Sequence, residues 1–293
     1  MGIAAGIYRS GEWSHLAMGW IVFSAMNLSW PRISIVTPSF NQAAFLERTI
    51  LSVLEQDYPN LEYIVIDGGS SDGSVDIIRK YENRLAYWVS EPDCGQAHAI
   101  NKGLKRATGD WVGWQNSDDI FYPGAFMHVA RAAIRSPKAE LIIGDINLID
   151  EQDNVIREMR YVRPVYESLL AEGMVLTNQA AFWRRSLHAR IGWLNKSLHY
   201  GFDYEWFLRL LRETDRAVHV PQCLGALRYH KATKSSRSQA LFDEEYRSIL
   251  AGRVLPEWKK NLYRSRRILL TLANGHFAYV LRGIKRRALG LGR

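Results

Sequence analysis

The sequence has 293 residues, enough for one large α/β domain or two smaller ones, and its 47% hydrophobic content is ordinary for a soluble protein. Its net charge of +8 is concentrated at one end. Residues 256–293 hold ten lysines or arginines and one acid, a balance of +9, so the first 255 residues carry a net charge of −1. No groove-reading motif accompanies this basic segment, and we therefore expect no nucleic-acid partner.

The cysteine content and the hydropathy of the chain indicate its cellular compartment. Cys94 and Cys223 form no disulfide framework and no Cys-x-x-Cys pattern, which favours a reducing compartment. The apolar stretch 16–28 is shorter than the roughly 20 residues that span a bilayer. Since a signal peptide would have only Arg9 as its positive charge, we expect residues 1–30 to be a leader without an assigned role. The expected location is the cytoplasm, at the inner face of the cell membrane.

Strands and helices alternate over the first half of the chain. β-branched and apolar runs predict strands, and the amphipathic stretches between them predict helices. The predicted strands are residues 33–38, 61–66, 85–89, 111–114 and 141–145. The predicted helices are 42–56 capped by Asn41, a helix ending at 81 and capped by Asp72 or Ser74, 97–107 and 123–135. This alternation indicates βαβ units and an α/β fold with a mainly parallel central sheet flanked by helices.

The pattern changes after residue 145. Residues 146–165 are interpreted as a hairpin, and the chain from Glu167 onward as irregular and helical, with a clear helix over 203–212. A polar loop is expected over 230–238, followed by further helices. We therefore predict one α/β domain over residues 31–238 and a basic helical C-terminal extension over 239–293.

Acidic residues follow two of the predicted strands. Asp67 ends the second strand, and the neighbours Asp118 and Asp119 follow the strand 111–114. The carboxyl ends of strands in an open α/β sheet form the crevice where ligands bind. Two adjacent carboxylates repel each other unless a cation compensates, and a hard divalent cation that bridges phosphate oxygens does so. The pattern predicts a nucleotide-diphosphate site; the alternative is a solvated loop with a helix cap.

Three aspartates have competing interpretations. For Asp67 we favour a ligand role, as acceptor of a hydrogen bond from the ring N–H of a pyrimidine base. For Asp72 we favour a helix cap. Asp203 lies between aromatic residues at a predicted helix start, which suits a partly desolvated general base. It also suits an N-cap, and the sequence leaves both interpretations open.

The C-terminal extension has an amphipathic pattern. Apolar positions at Phe277, Leu281, Ile284 and Ala288 are accompanied by Arg282, Lys285 and Arg286 on a neighbouring face. A basic amphipathic helix of this kind lies on anionic membrane surfaces. We favour that interpretation over a helix packed on the α/β domain with a solvated basic face.

Six segments, in order, resemble family 2 glycosyltransferases of the GT-A fold. They are residues 34–41, 67–74, 90–96, 99–103, 116–119 and 203–209, spread over two-thirds of the chain. The resemblance implies a GT-A α/β fold and a transferase that uses Mn²⁺ or Mg²⁺. It also implies inverting transfer of one sugar from a nucleotide-diphosphate donor, with a UDP-sugar expected first. The acceptor would be a hydroxyl of a glycan or of a lipid-linked acceptor in cell-surface polysaccharide assembly.

The resemblance also assigns roles to residues. Thr37, Pro38 and Asp67 would line the base pocket, Asp93 and Gly95 would lie near the ribose or sugar, and Asn101 and Lys102 would frame the donor cleft. Asp119 would be the better metal ligand, with Asp118 beside it near the ribose or sugar, and His230 as a further candidate ligand. Gln179 would contact the acceptor, Arg228 would lie near the diphosphate, and Asp203 would be the base.

Departures from the family pattern keep other functions open. Gly68, Phe202 and Asn178 stand where relatives often have Asp, an acid and His. A catalytically inactive sugar-nucleotide-binding relative is therefore one alternative. A nucleotidyltransferase is another, although no Gly-rich phosphate loop follows the first strand. A dehydrogenase is disfavoured because no Gly-x-Gly-x-x-Gly is present there.

Overall fold

The computed structural model describes residues 29–230 and 239–288, with side chains up to residue 285 except that of Gln239. The predicted leader therefore lies outside the described residues apart from positions 29 and 30, and so do residues 231–238 of the predicted polar loop. Within the described ranges, no helix combines the length and the apolar character needed to cross a bilayer.

A nine-stranded sheet forms the centre of the fold. Its order in space is β3-β2-β1-β4-β8-β6-β9-β5, with β7 paired to β6. The strands are β1 Ile33–Ser39, β2 Leu61–Asp67, β3 Tyr87–Ser90, β4 Trp111–Trp114, β5 Ile120–Phe121, β6 Leu141–Ile149, β7 Val155–Met159, β8 Ala181–Arg184 and β9 Ala217–Arg228. The first four strands run parallel, as does the pair β6–β9. The predicted α/β class is confirmed.

Ten α-helices accompany the sheet in the described part of the chain. They are α1 Ala43–Leu54, α2 Ser74–Lys80, α3 Gln96–Arg106, α4 Ala125–Arg135, α5 Tyr166–Glu172, α6 His188–Ile191, α7 Phe202–Glu213, α8 Gln239–Ile249, α9 Glu257–Ala273 and α10 Phe277–Ala288. Every residue of β1 is buried, as expected for a central parallel strand covered on both faces. Gly103 lets α3 approach that strand, because a Cβ there would lie 2.3 Å from Val36 Cγ1.

The predictions for the second half of the chain need correction. The hairpin after residue 145 is present as β6 and β7, but the irregular helical interpretation from Glu167 onward missed β8 and β9. β8 has only four residues, too few to show a period of two. β9 contains Pro221, which argues against a strand, yet this proline lies at a register shift between β6 and β9, where no ladder bond is needed.

The predicted cap of the first helix was also wrong. Asn41 has a φ of 51° and lies outside the helix, and its Oδ1 accepts a hydrogen bond from Ser71 N. Asp72 instead accepts one from Ala43 N, the first residue of α1, at 2.9 Å. Its other oxygen accepts one from Ser74 N, so this carboxylate serves the starts of α1 and α2 together. Asp72 therefore supports both helix starts, but the N-cap of α2 is Gly73 and not Asp72 or Ser74, and the local pattern at Asn41 was misleading.

An aromatic core joins the sheet to helix α7. Trp114 stacks on Phe207 with ring centroids 5.9 Å apart, and Trp183 lies 5.6 Å from Trp206. All four side chains are at most 1% exposed. Burying each large side chain contributes about 2–3 kcal/mol, and aromatic pairs add to it. Three of the ten tryptophans therefore hold α7, which carries Asp203, against strands β4 and β8.

Candidate active site

A cleft of about 690 Å³ lies at the carboxyl ends of β1 and β4. Eight of the site residues predicted from the sequence line it: Pro38, Asp93, Gly95, Asp118, Asp119, Gln179, Asp203 and Arg228. Five do not, namely Thr37, Asp67, Asn101, Lys102 and His230. The fold therefore gathers most of the predicted residues, from segments more than 100 positions apart, around a single cavity.

The carboxylate of Asp67 is hydrogen-bonded to other groups of the protein. Its carboxylate is fully buried and accepts hydrogen bonds from the backbone N–H groups of Gly69 and Ser70. The hydroxyls of Ser70 and Ser90 donate at 2.6 and 2.7 Å. Three of these bonds go to Oδ2 and one to Oδ1, so both oxygens are held by the protein itself. The contacts shape the loop after β2, and contact of Asp67 with a base stays a prediction.

Three other predicted residues lie behind the cleft wall. Thr37 Oγ1 lies 3.0 Å from the hydroxyl of buried Tyr63. Asn101 exchanges two hydrogen bonds with the backbone of Leu194, at 2.8 and 3.0 Å. Lys102 pairs with Glu91 at 2.9 Å. The first two contacts tie together segments that border the cleft, while the third is half-exposed and contributes little to stability.

Asp93 brings a carboxylate next to Gly68. A Cβ at position 68 would lie 2.7 Å from Asp93 Oδ2 and 3.3 Å from a ring carbon of Phe40. Asp93 Oδ1 accepts a hydrogen bond from Gly95 N at 2.7 Å, which holds the side chain over the glycine. The space next to Gly68 is therefore already taken up by a carboxylate from a different loop.

Asp118 and Asp119 have opposite environments. Asp119 is fully buried, and its two oxygens accept hydrogen bonds from Asn116 Nδ2, Gln179 Nε2 and Arg228 N at 2.7–2.9 Å. Burial, and then the neighbouring charge of Asp118, raise the pKa of Asp119 to about 8. The Asp118 side chain keeps 18% exposure and borders the cleft. Asp118 is thus the carboxylate that remains accessible to a ligand.

His230 is the nearest imidazole to this pair. Its Nε2 lies 3.1 Å from Asp118 Oδ2, and its ring packs against Phe45 with centroids 4.6 Å apart. Residues 29–230 and 239–288 contain no cluster of three or more metal-ligating His, Cys, Asp or Glu side chains. One carboxylate and one imidazole suit a divalent cation that takes its other ligands from phosphate and water. The two side chains therefore fit a shared, ligand-completed metal site.

Arg228 anchors the same corner of the cleft. Its side chain is buried, with Nε donating to Asp118 O at 2.7 Å and Nη1 donating to Asp150 O at 2.8 Å. Its remaining group, Nη2, is buried and has no hydrogen-bond partner among the described residues. A buried N–H without a partner costs free energy. This donor is therefore suited to a negatively charged ligand.

Asp203 lines the same cleft from helix α7. Helix α7 begins at Phe202 with Gly201 as its N-cap, so Asp203 is the second helical residue and not the cap. Its Oδ1 accepts a hydrogen bond from Tyr204 N at 2.7 Å, while the side chain still borders the cleft. The N-terminus of a helix favours the ionised carboxylate, the form that accepts a proton.

Glu245 is a site residue that the sequence analysis missed. From α8 its carboxylate accepts hydrogen bonds from the backbone N–H groups of His199, Tyr200 and Gly201, each at 2.8 Å. Partial burial opposes ionisation, but these three donors lower the pKa of Glu245. Because a glutamate on an amphipathic helix looks like surface, no local signal marks it. It fixes the segment that leads directly into α7.

A family model supports a relationship over more than half of the chain. The model of Glycosyl transferase family 2 matches residues 34–192. The uncharacterized glycosyltransferase Rv1514c of Mycobacterium tuberculosis is 35% identical over 184 residues, covering 62% of this chain and 69% of that protein. The putative teichuronic acid biosynthesis glycosyltransferase TuaG of Bacillus subtilis is 41% identical over 92 residues, covering 30% and 36%.

Solved structures share the fold at low sequence identity. S. aureus TarS 1–349 in complex with UDP-GlcNAc has a TM-score of 0.63 and 17% identity, covering 83% of this chain and 73% of that one. The Pyrobaculum calidifontis mannosyltransferase PcManGT, in complex with GDP-Man and Mn²⁺, has a TM-score of 0.56 and 20% identity, covering 95% and 88%. These likenesses confirm the predicted GT-A fold. The family model, which matches more than half of the chain, shows that the chain belongs to glycosyl transferase family 2 and is a glycosyltransferase.

Proposed function

We propose that this protein transfers one sugar from a nucleotide-diphosphate donor, with a UDP-sugar first, to a hydroxyl of a glycan or lipid-linked acceptor. The observation that carries the proposal is that Asp118 and Asp203 lie on walls of the same cleft of about 690 Å³. That volume suits a ligand the size of a nucleotide sugar. TarS in complex with UDP-GlcNAc supports the choice of donor, and TuaG supports a role in cell-surface polysaccharide assembly.

The donor diphosphate would lie in the cleft next to Asp118 and Arg228. Asp118 and His230 would hold Mn²⁺ or Mg²⁺ in place of Asp119, the ligand expected first from the sequence, because Asp119 is buried and already hydrogen-bonded; the complex of PcManGT with Mn²⁺ supports a divalent cation in such a site. When bound, such an ion supplies positive charge that stabilises the departing diphosphate. The buried Nη2 of Arg228 would donate to the same phosphates. Asp119 would act behind them, orienting Asn116 and Gln179 through its hydrogen bonds.

Asp203 would be the general base. It would accept the proton of the acceptor hydroxyl while that oxygen attacks the anomeric carbon from the face opposite the diphosphate. The sugar would pass through an oxocarbenium-like state, as in glycoside hydrolysis, and the configuration at the anomeric carbon would invert. No covalent sugar–enzyme intermediate is needed.

The C-terminal helices would place the enzyme at the inner face of the membrane. Trp258, Leu262 and Leu269 are more than half exposed on one face of α9, and so are Phe277, Leu281 and Ile284 on α10. We call these six side chains the apolar stripe. Exposed basic residues, among them Lys259 and Lys285, lie next to it in sequence. Apolar side chains with basic neighbours suit an anionic bilayer surface, where each Lys or Arg is worth roughly 1 kcal/mol.

Thermal stabilisation by nucleotides tests the donor site. UDP, GDP and dTDP would each be added with and without Mn²⁺ to the wild type, to Asp118→Asn and to the control Asp76→Asn, an exposed acid on α2. At a hundred times its Kd, a ligand adds about 2.7 kcal/mol of stability. We expect a Mn²⁺-dependent shift with one nucleotide, kept in the control and lost in Asp118→Asn. No shift with any nucleotide would refute the donor site, and binding without sugar transfer would indicate an inactive relative.

A further inference from the structure

A second cavity, of about 410 Å³, lies where helices α9 and α10 meet α5 and the end of β7. Three arginines line it, Arg160, Arg264 and Arg267, together with Glu172 and Tyr279. Because Asp145 and Glu158 pair with Arg160, and Glu172 pairs with Arg267, the excess positive charge of the lining rests mainly on Arg264. Arginine is the side chain best suited to phosphate, because its planar fork donates two parallel hydrogen bonds.

The ion pairs of these arginines leave donors for a ligand. Arg160 is engaged by Asp145 at 3.2 Å and by Glu158 at 3.4 Å, so its charge is largely balanced. Arg267 makes a single ion pair within the described residues, from Nε to Glu172 Oε2 at 2.8 Å. The ion pair of Arg264 with exposed Glu257 is loose, at 3.9 Å. Arg264 and Arg267 therefore retain guanidinium N–H groups for an anion.

Glu172 adds a second kind of recognition. Its Oε1 is buried and has no hydrogen-bond partner among the described residues, although its Oε2 is paired with Arg267. A buried carboxylate oxygen without a donor is costly, and a ligand hydroxyl would satisfy it. The arginines can bind a phosphate and the carboxylate can accept a hydrogen bond from a hydroxyl. Together they suit a glycosyl phosphate, which has both groups.

This cavity adjoins the active-site cleft. Met159, Tyr161 and Met174 line both cavities. The second cavity also touches α9 and α10, the helices that carry the apolar stripe. It therefore lies between the surface assigned to the membrane and the cleft that contains Asp203.

We propose that this arginine-lined cavity binds the phosphate or diphosphate that joins the acceptor sugar to the rest of the acceptor. The proposal rests on the proposed function, since it supplies the acceptor for that reaction. The shared chemistry is a glycosyl phosphate, and its phosphate comes either from a lipid diphosphate in the bilayer or from a phosphate-bearing glycan in solution. The acceptor hydroxyl would then extend past Tyr161 to Asp203.

Calorimetric titration with inorganic pyrophosphate tests the site. EDTA in the buffer removes divalent cations, so that metal-dependent binding at Asp118 does not contribute. We expect Arg264→Ala, a change at a half-exposed side chain, to weaken pyrophosphate binding about tenfold. Arg267→Lys keeps the ion pair with Glu172 but loses the planar guanidinium and its two parallel donors. We therefore expect weaker pyrophosphate binding in this variant as well. Arg131→Ala, an exposed arginine on α4 outside the cavity lining, should bind as the wild type does.

The outcomes separate this proposal from the function on which it rests. Equal affinity in wild type, Arg264→Ala and Arg267→Lys, or no binding to any of them, would overturn the cavity assignment. The Mn²⁺-dependent nucleotide shift should persist in Arg264→Ala, and its absence in the wild type would refute the donor site whatever the pyrophosphate result.

Vesicle sedimentation identifies the source of the phosphate. Phosphatidylcholine vesicles would contain either farnesyl diphosphate or an amount of phosphatidylglycerol that carries the same charge. If Arg264→Ala lowers retention only on the diphosphate vesicles, a lipid diphosphate is the ligand. If it lowers retention on neither while pyrophosphate binding falls, the cavity takes a phosphate of a glycan in solution. Equal loss on both vesicles would show that Arg264 contributes only surface charge and would overturn the proposal.

Discussion

The two sides of the cleft are built in different ways. The side assigned to the donor follows the parallel strands β2 and β4, because Asp67 is the last residue of β2 and Asp118 and Asp119 come shortly after β4. The side assigned to the acceptor depends on a contact between distant segments, with Glu245 bonded to residues 199–201. A local motif therefore describes the first side, whereas tertiary contacts create the second. Substitutions on the two sides should have different consequences.

The largest expected effect is on turnover, at Asp203. In Asp203→Asn the side chain keeps its size but no longer accepts a proton, and positioned general bases contribute about 10²–10⁴-fold. We expect a loss of kcat in that range, with the nucleotide-induced thermal shift unchanged, since that shift reports the other side of the cleft. Near-normal sugar transfer would show that Asp203 is not the base.

A large stability effect is expected at Asp119. Asp119→Ala leaves three hydrogen-bond donors at Asn116, Gln179 and Arg228 without their acceptor, at a cost of about 3 kcal/mol. Urea denaturation measures this loss. Its matched control is Asp118→Ala, which should lose metal-dependent nucleotide binding with little change in stability. Equal stability of both variants would contradict the structural role of Asp119.

His188 gives the acceptor side a dependence on pH. Burial lowers the pKa of His188 from the usual 6.5 to about 4, although the hydrogen bond between its Nδ1 and Gly192 O, at 2.9 Å, raises it in part. The unfolded chain therefore binds a proton that the folded chain does not, and stability should fall as the pH drops from 6.5 towards 4. At pH 5 the loss is about 2 kcal/mol. His188→Gln should remove this part of the pH dependence of urea denaturation; an unchanged profile would refute the assignment.

The smallest effect on stability and turnover is expected at Glu245, which fixes the backbone on the acceptor side of the cleft. Glu245→Gln keeps one acceptor oxygen but faces three backbone donors with a neutral amide, which should cost about 1 kcal/mol. Since residues 199–201 lead into α7, kcat should also fall severalfold with no change in nucleotide binding. The adjacent exposed Glu244→Gln is the control and should behave as the wild type. A change in nucleotide affinity alone would argue against positioning of Asp203.

The difference between the two sides of the cleft also explains which features could be predicted from the sequence. The α/β fold and most of the cleft residues could be predicted from the apolar strands before Asp67 and Asp119 and from the spacing of the acids. The sequence could not show that the Asp67 carboxylate accepts hydrogen bonds from within the protein. Those bonds depend on the fold of residues 68–70 and on Ser90 in β3. Glu245 and the arginine-lined cavity have no local pattern, since packing between remote helices creates them. β9 was missed because a bulge accommodates Pro221.

Gly68 has a consequence for how such chains are compared by motif. An acid is expected at this position from the family pattern, and its absence would ordinarily count as a lost function. Yet Asp93 Oδ2 lies 2.7 Å from the point where a Cβ of residue 68 would be, so the local negative charge is supplied from the loop after β3. A substitution scan that treats each position independently would miss this coupling. Positions 68 and 93 are better scored as a pair, because a side chain at position 68 and Asp93 in its present place would compete for the same space.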